Sequence, residues 1–288
     1  MVNVIATNWE NFVLTLKFQE EKQFYANLFE KATKLIEFLF SHYKSNSPSI
    51  PLLLIQTSEP TRFPFCNGKS IYISKYTVEF AKLNSKYFSV QGNLIEDDEV
   101  GEYFFLWLIA HEFMHCEQNH LLINDANKNS ALELDADGYA TSGLYRYLAQ
   151  GNALVSEAAK TKMRIFGSIF YPMRILIEES TLKKQRLLAQ RLCFFVAKLA
   201  WTDNYNYTNG HPIPEQQAHL EIKMLLNSYN ANEQYFIKSI DKKPTFDLIA
   251  YLLEFQSHSE SVVSELEELA DLIKSKSKLK ENIYNQHT

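Results

Sequence analysis

A mainly helical α+β fold is what this sequence predicts, on three observations. Apolar residues recur at helical spacing through most of the chain, whereas the stretch from Ile50 to Val90 offers short β-branched and aromatic runs around turn signals. With 288 residues, 46% hydrophobic and 14% aromatic, the chain is long and apolar enough to bury a large core. It shows no internal repeat and no low-complexity segment.

Trp9 to Tyr43 carries Phe24, Leu28, Leu35, Phe38 and Leu39 at helical spacing and reads as one helix, ended by Ser45-Asn46-Ser47-Pro48. Ile50 to Ile55 and Ser70 to Ser74 read as strands, with Cys66-Asn67-Gly68-Lys69 supplying the turn between Phe65 and Ile71, and Tyr87 to Val90 as a third. The apolar run Tyr103 to Ala110, free of Pro and Gly, predicts a helix buried on most sides. Leu121-Leu122-Ile123 ends its periodicity, and a polar turn cluster, Asn124 to Ser130, follows, with Ser130 placed to cap the next helix. Two helices joined by so short a loop are expected to pack antiparallel. Further helices are expected over Glu157 to Tyr171, stopped by Pro172, then Met173 to Trp201, Glu215 to Tyr229, Thr245 to Ser257 and Ser261 to Lys280. Thr202 to Gly210 is the clearest loop, a candidate lid or a plain connector. Asp241-Lys242-Lys243-Pro244 marks a boundary between residues 1–240 and a helical extension, 241–288.

The apolar helix leads into His111-Glu112-Phe113-Met114-His115. Positions i and i+4 of a helix lie about 40° apart around the axis, so both imidazoles project toward one point, while Glu112 sits one step around and is free to hold a water. By chance alone such a pattern arises in roughly one chain of this length in a hundred, so the motif needs a second observation. Glu133-Leu134-Asp135-Ala136-Asp137 supplies one: two carboxylates, Glu133 and Asp137, share a face of the next helix. Catalytic zinc commonly takes two histidines and one glutamate, with water in the fourth place. Asp137, one turn beyond Glu133, is positioned to accept a hydrogen bond from a ligand histidine and fix its tautomer.

These segments, with His211-Pro212-Ile213-Pro214 and the following Glu215 to Leu220, resemble the gluzincin metallopeptidases of the HtpX-like kind, which carry HExxH, ExxAD and a late HP segment in that order. The chain is also similar to the soluble phage-exclusion peptidases of the Lit type, in which a His-Leu pair closely follows the zinc motif, as His120-Leu121 does here. The resemblance spans roughly residues 50 to 226. It implies Zn2+ bound by His111, His115 and Glu133, Glu112 as general base, Asp137 as the partner of a ligand histidine, and His211 as the donor that stabilises the oxyanion. It also implies a zincin-like arrangement, with a small sheet over the active helix whose edge strand takes an extended peptide. Gln217 stands where HtpX-like chains usually carry an arginine, and no membrane span accompanies the motifs, which favours the soluble relatives. Tyr139 and His120 are further oxyanion candidates, although core packing is the simpler role for the tyrosine and a helix-end or surface position for the histidine.

The expected activity is therefore zinc-dependent hydrolysis of a protein or peptide substrate, with phage defence or stress as a setting for a regulated cut. The alternative is a non-catalytic regulatory or interaction protein on a zinc-binding, peptidase-like scaffold. A net charge of -5 and a pI near 5.9, with no basic stripe, argue against nucleic acid. No window approaches the roughly 18 consecutive apolar residues needed to cross a bilayer, and no secretory leader is evident. Cys66, Cys116 and Cys193 form neither a disulfide framework nor a metal knot, so a reducing, cytoplasmic location is expected. Cys116, one position past a proposed ligand, points away from the metal and reads as core filler.

Overall fold

The computed structural model describes residues 6–57, 63–84, 87–88, 94–95, 98–123, 129–149, 155–202, 215–240 and 243–279. Within them the chain is mainly helical with a small mixed sheet. Strand β1 (Ala6–Asn8) leads into α1 (Trp9–Thr15) and α2 (Gln19–His42); β2 (Leu52–Gln56), β3 (Phe65–Cys66) and β4 (Ser70–Ser74) precede α3 (Lys75–Leu83). A separate two-stranded ribbon, β5 (Tyr87–Phe88) with β6 (Leu94–Ile95), comes before α4 (Asp98–Glu117). A 3-10 turn (His120–Leu122), α5 (Asn129–Leu148), α6 (Val155–Glu179), α7 (Leu182–Trp201), α8 (Glu215–Ser239) and α9 (Leu248–Lys276) complete the order.

The sheet runs β1-β2-β4-β3, with β2 and β4 parallel and both outer pairs antiparallel. Its hairpin turns where the sequence places it. Gly68 adopts φ +84°, a region that glycine enters without a Cβ clash. The Asn67 side chain accepts from the amides of Lys69 and Ser70 at 3.0 and 2.8 Å. Strand β3 is thereby held as an edge, packed against α4.

Helix α4 lies at the centre of the core. It touches α2, α3, α5, α6, β3 and β4, and Phe104 through Ala110, Phe113, Met114 and Cys116 are all buried. A helix surrounded this way needs no polar face, which is why its sequence is apolar all round. Helix α5 also approaches the end of α2 closely at Gly143, where a Cβ would stand 2.4 Å from Leu39 Cδ2 and 3.4 Å from the Tyr43 hydroxyl.

Several boundaries differ from the sequence expectation. The first helix is two. Asn8 caps α1 by accepting from the Asn11 amide, and Thr15 Oγ1 donates to the Phe12 carbonyl as the helix ends, after which the chain turns so that Phe12 packs edge-on against Tyr25. Pro172 does not stop its helix. Phe170, Tyr171, Met173, Leu176 and Ile177 are buried on both sides of it, and such packing outweighs the cost of about 3 kcal/mol for an interior proline. The break falls at Ser180–Thr181 instead. The two expected C-terminal helices are one, α9, begun by Asp247 capping the Ala250 amide; nothing in Ser257 to Ser261 breaks a helix. Ser130 lies inside α5 rather than capping it. Tyr87–Phe88 pairs with Leu94–Ile95, not with the four-stranded sheet, and Ser89 and Val90 fall outside the described residues.

Helix α9 packs on α5, α7 and α8, and the residues after it return to α4. The Lys278 amide donates to the Glu117 carbonyl at 2.8 Å and its Nζ to the Cys116 carbonyl at 3.1 Å, while the Asn46 amide donates to the Lys278 carbonyl. Among the described residues no helix is long and apolar enough to cross a membrane.

Candidate metal centre

The last turns of α4 present His111 and His115 on one face, with Nε2 atoms 3.0 Å apart. Glu133, in the first turns of α5, faces them: its Oε2 is 3.4 Å from His111 Nε2 and its Oε1 3.5 Å from His115 Nε2. One ligand atom from each residue lies within 4.8 Å of the other two. The structure thus brings together the three residues that the sequence singles out. Two imidazole nitrogens and a carboxylate oxygen suit zinc and other first-row divalent ions, and three protein donors leave a position for solvent.

Asp137 is fully buried, with Oδ1 2.8 Å from His111 Nδ1. The contact is close although the ring N–H does not point squarely along it. Around this pair stands a residue that sequence reasoning missed. Arg191 of α7 donates from Nε and Nη2 to the two Asp137 oxygens at 2.7 and 2.8 Å, and its Nη1 lies 2.8 Å from Glu133 Oε2. No local pattern marks it, since it reaches the site from another helix across 54 positions of sequence.

The charges explain the protonation preferences. Burial opposes ionisation of Glu133, but His111, His115 and Arg191 outweigh it and hold its carboxyl well below the usual carboxylate range. Asp137 is likewise lowered against burial by Arg191 and His111. Burial disfavours the His111 cation too, yet Asp137 and Glu133 raise it to about 10. For His115, burial wins and lowers it to about 4. Glu112 is pushed up to about 8, first by burial, with Cys66 and Glu133 adding to the rise and the cationic His111 and Arg191 opposing it.

The neighbouring residues fall into two groups. Tyr139 is core: it is buried, packs edge-on against Tyr43, and its carbonyl accepts from the Tyr43 hydroxyl. Cys116 is buried in the same core. His120 is not on the surface. It is buried, with Nδ1 2.8 Å from His115 Nδ1 and Nε2 3.2 Å from Asp135 Oδ2. The turn that brings it back is made by Asn119, at φ +54° in the left-handed region that asparagine tolerates, and the Asn119 amide group donates to the Lys276 carbonyl. His211 and its HP segment lie outside the described residues. No protein-family model, no curated protein and no solved structure matches this chain.

Proposed function

We propose that this chain is a zinc-dependent peptidase of gluzincin type, and one observation carries the reading: His111, His115 and Glu133 converge within 4.8 Å beside Glu112. His111, His115 and Glu133 would hold the ion. When bound, zinc supplies Lewis acidity, polarising the scissile carbonyl and lowering the pKa of water toward about 7. Glu112, as carboxylate, accepts the proton of the water that attacks the carbonyl carbon and passes it to the amine that leaves as the C–N bond breaks. Asp137, itself clamped by Arg191, orients His111 through its Nδ1. His211 is our candidate donor to the oxyanion.

Edge strand β3, packed against α4, supports a zincin-like arrangement in which an extended protein or peptide substrate pairs along the sheet. We place the activity in a reducing cytoplasm, in keeping with three free thiols. Metal analysis of the purified protein, followed by mass spectrometry of a digested peptide library, tests the proposal. Chelator-sensitive cleavage is expected. Glu112→Gln should keep its zinc and lose at least a hundredfold in rate, because it removes the base and leaves the donors. A variant that cuts as fast as wild type overturns the mechanism. Glu133→Ala should sharply lower bound zinc, and unchanged stoichiometry would remove Glu133 from the ligand set.

A further inference from the structure

We infer that His120, anchored by Asp135, is a positioning residue that fixes the tautomer and orientation of His115 and thereby sets the metal affinity of the site. The inference rests on the metal-binding reading above. His115 turns Nε2 toward His111 and Glu133, leaving Nδ1 on its far side. That atom meets His120 Nδ1 at 2.8 Å, with the two rings nearly perpendicular. On the other side of His120, Nε2 lies 3.2 Å from Asp135 Oδ2, close enough to anchor the ring although its N–H does not point squarely along the contact. Both His120 and Asp135 are almost wholly buried, so bulk water does not compete for these contacts.

One arrangement of protons suits the contacts on either side of His120. Asp135, as carboxylate, can only accept, so His120 carries its proton on Nε2 and presents a lone pair at Nδ1. His115 must then donate from Nδ1, which frees the Nε2 lone pair for a cation. His111 reaches the same tautomer by a different route, through Asp137 at its own Nδ1. Each histidine of the pair thus has its own outer partner, and each partner ends on a buried carboxylate of α5. Asp135 and Asp137 sit two residues apart, one against His120 and the other against His111. A ligand histidine whose second nitrogen donates to such a partner is more basic and has less freedom to lose when the metal binds.

Zinc titration by chelator competition, with nitrogen-15 NMR of the histidine rings, decides the matter. His120→Leu removes the acceptor and should weaken zinc binding 10- to 100-fold, whereas His120→Gln, whose amide can accept from His115 and donate to Asp135, should stay within a few-fold of wild type. Zinc-loaded wild type should show a downfield, slowly exchanging His115 Nδ1 proton that His120→Leu lacks. Wild-type affinity in a folded His120→Leu overturns the inference while leaving the metal site standing. If that variant does not fold, the wild-type spectrum decides alone, and a missing Nδ1 proton is equally fatal. A wild-type protein that takes up no divalent ion refutes the metal reading and this inference together.

Discussion

Arg191 stands between two carboxylates, with Nε and Nη2 on Asp137 and Nη1 on Glu133. Removing it leaves Asp137, fully buried, without its guanidinium and with His111 as its remaining positive neighbour, a change of the kind that typically costs about 3 to 5 kcal/mol. Arg191→Met should therefore lower the urea midpoint of the metal-free protein by that equivalent, and added zinc should recover part of the loss by supplying positive charge at the same carboxylates. An unchanged midpoint would show that the cluster does not depend on the guanidinium. Sequence reasoning named the donor atoms but not this counter-charge, because helical spacing places His111 beside His115 and Glu133 near Asp137 but says nothing about what α7 brings to them. His120 is hidden from the sequence for a related reason. A histidine at a helix end reads as exposed until the left-handed turn at Asn119 is known.

Helix α6 shows the same limit at the scale of an element. Its proline reads as a stop in the sequence, yet burial along both flanks and a buried charge cluster carry the helix past it. Arg174, two residues on, donates from Nε and Nη2 to the Glu233 carboxylate of α8 at 2.8 and 3.1 Å, to Glu178 at 3.2 Å and to the Phe246 carbonyl at 3.1 Å, and lies over the Phe236 ring. One side chain thus ties α6, α8 and the approach to α9. Glu233→Leu should destabilise the fold by about 3 kcal/mol or more, since a buried guanidinium loses its main partner, and the double variant Arg174→Met, Glu233→Leu should regain much of it. Urea unfolding of the three variants reads the coupling. At the α2–α5 contact the constraint is steric: Gly143→Ala places a methyl group 2.4 Å from Cδ2 of the buried Leu39, which must shift, and should cost about 1 to 3 kcal/mol. The long apolar runs were legible as helices because period and burial agree. Where one helix ends and the next begins was not, since that depends on packing between segments far apart in sequence.

Over the molecule as a whole, α9 packs on α5, α7 and α8. Phe246, Leu248 and Ile273 are buried, and each side chain of that size contributes roughly 1.5 to 3 kcal/mol on burial. Against a typical total of about 5 to 15 kcal/mol, their loss is large. A chain ending at Ile240 should therefore lose its cooperative urea transition, whereas a midpoint near that of the full chain would mark an independent catalytic unit. Stability should also depend on alkaline pH through Lys198 of α7, which burial, aided by Arg146 and opposed by Asp135, lowers from 10.5 to about 8. The folded state holds fewer protons than the unfolded one between those values. The penalty is thus fully present below about pH 8 and is relieved as pH rises toward 10.5, by about 3 kcal/mol in all. Lys198→Met should accordingly be the more stable protein at pH 7.5, with its advantage over wild type shrinking by pH 9.5.

The tie between Lys278 and the end of α4 joins positions 162 apart in sequence. Closing so long a loop costs roughly 4 to 5 kcal/mol of chain entropy, to be recovered only after the intervening helices are in place. Deuterium uptake at the Lys278 amide, which bonds to Glu117 and neither ligates nor titrates, would therefore report from a distance whether the helix bearing both histidines is seated or frayed.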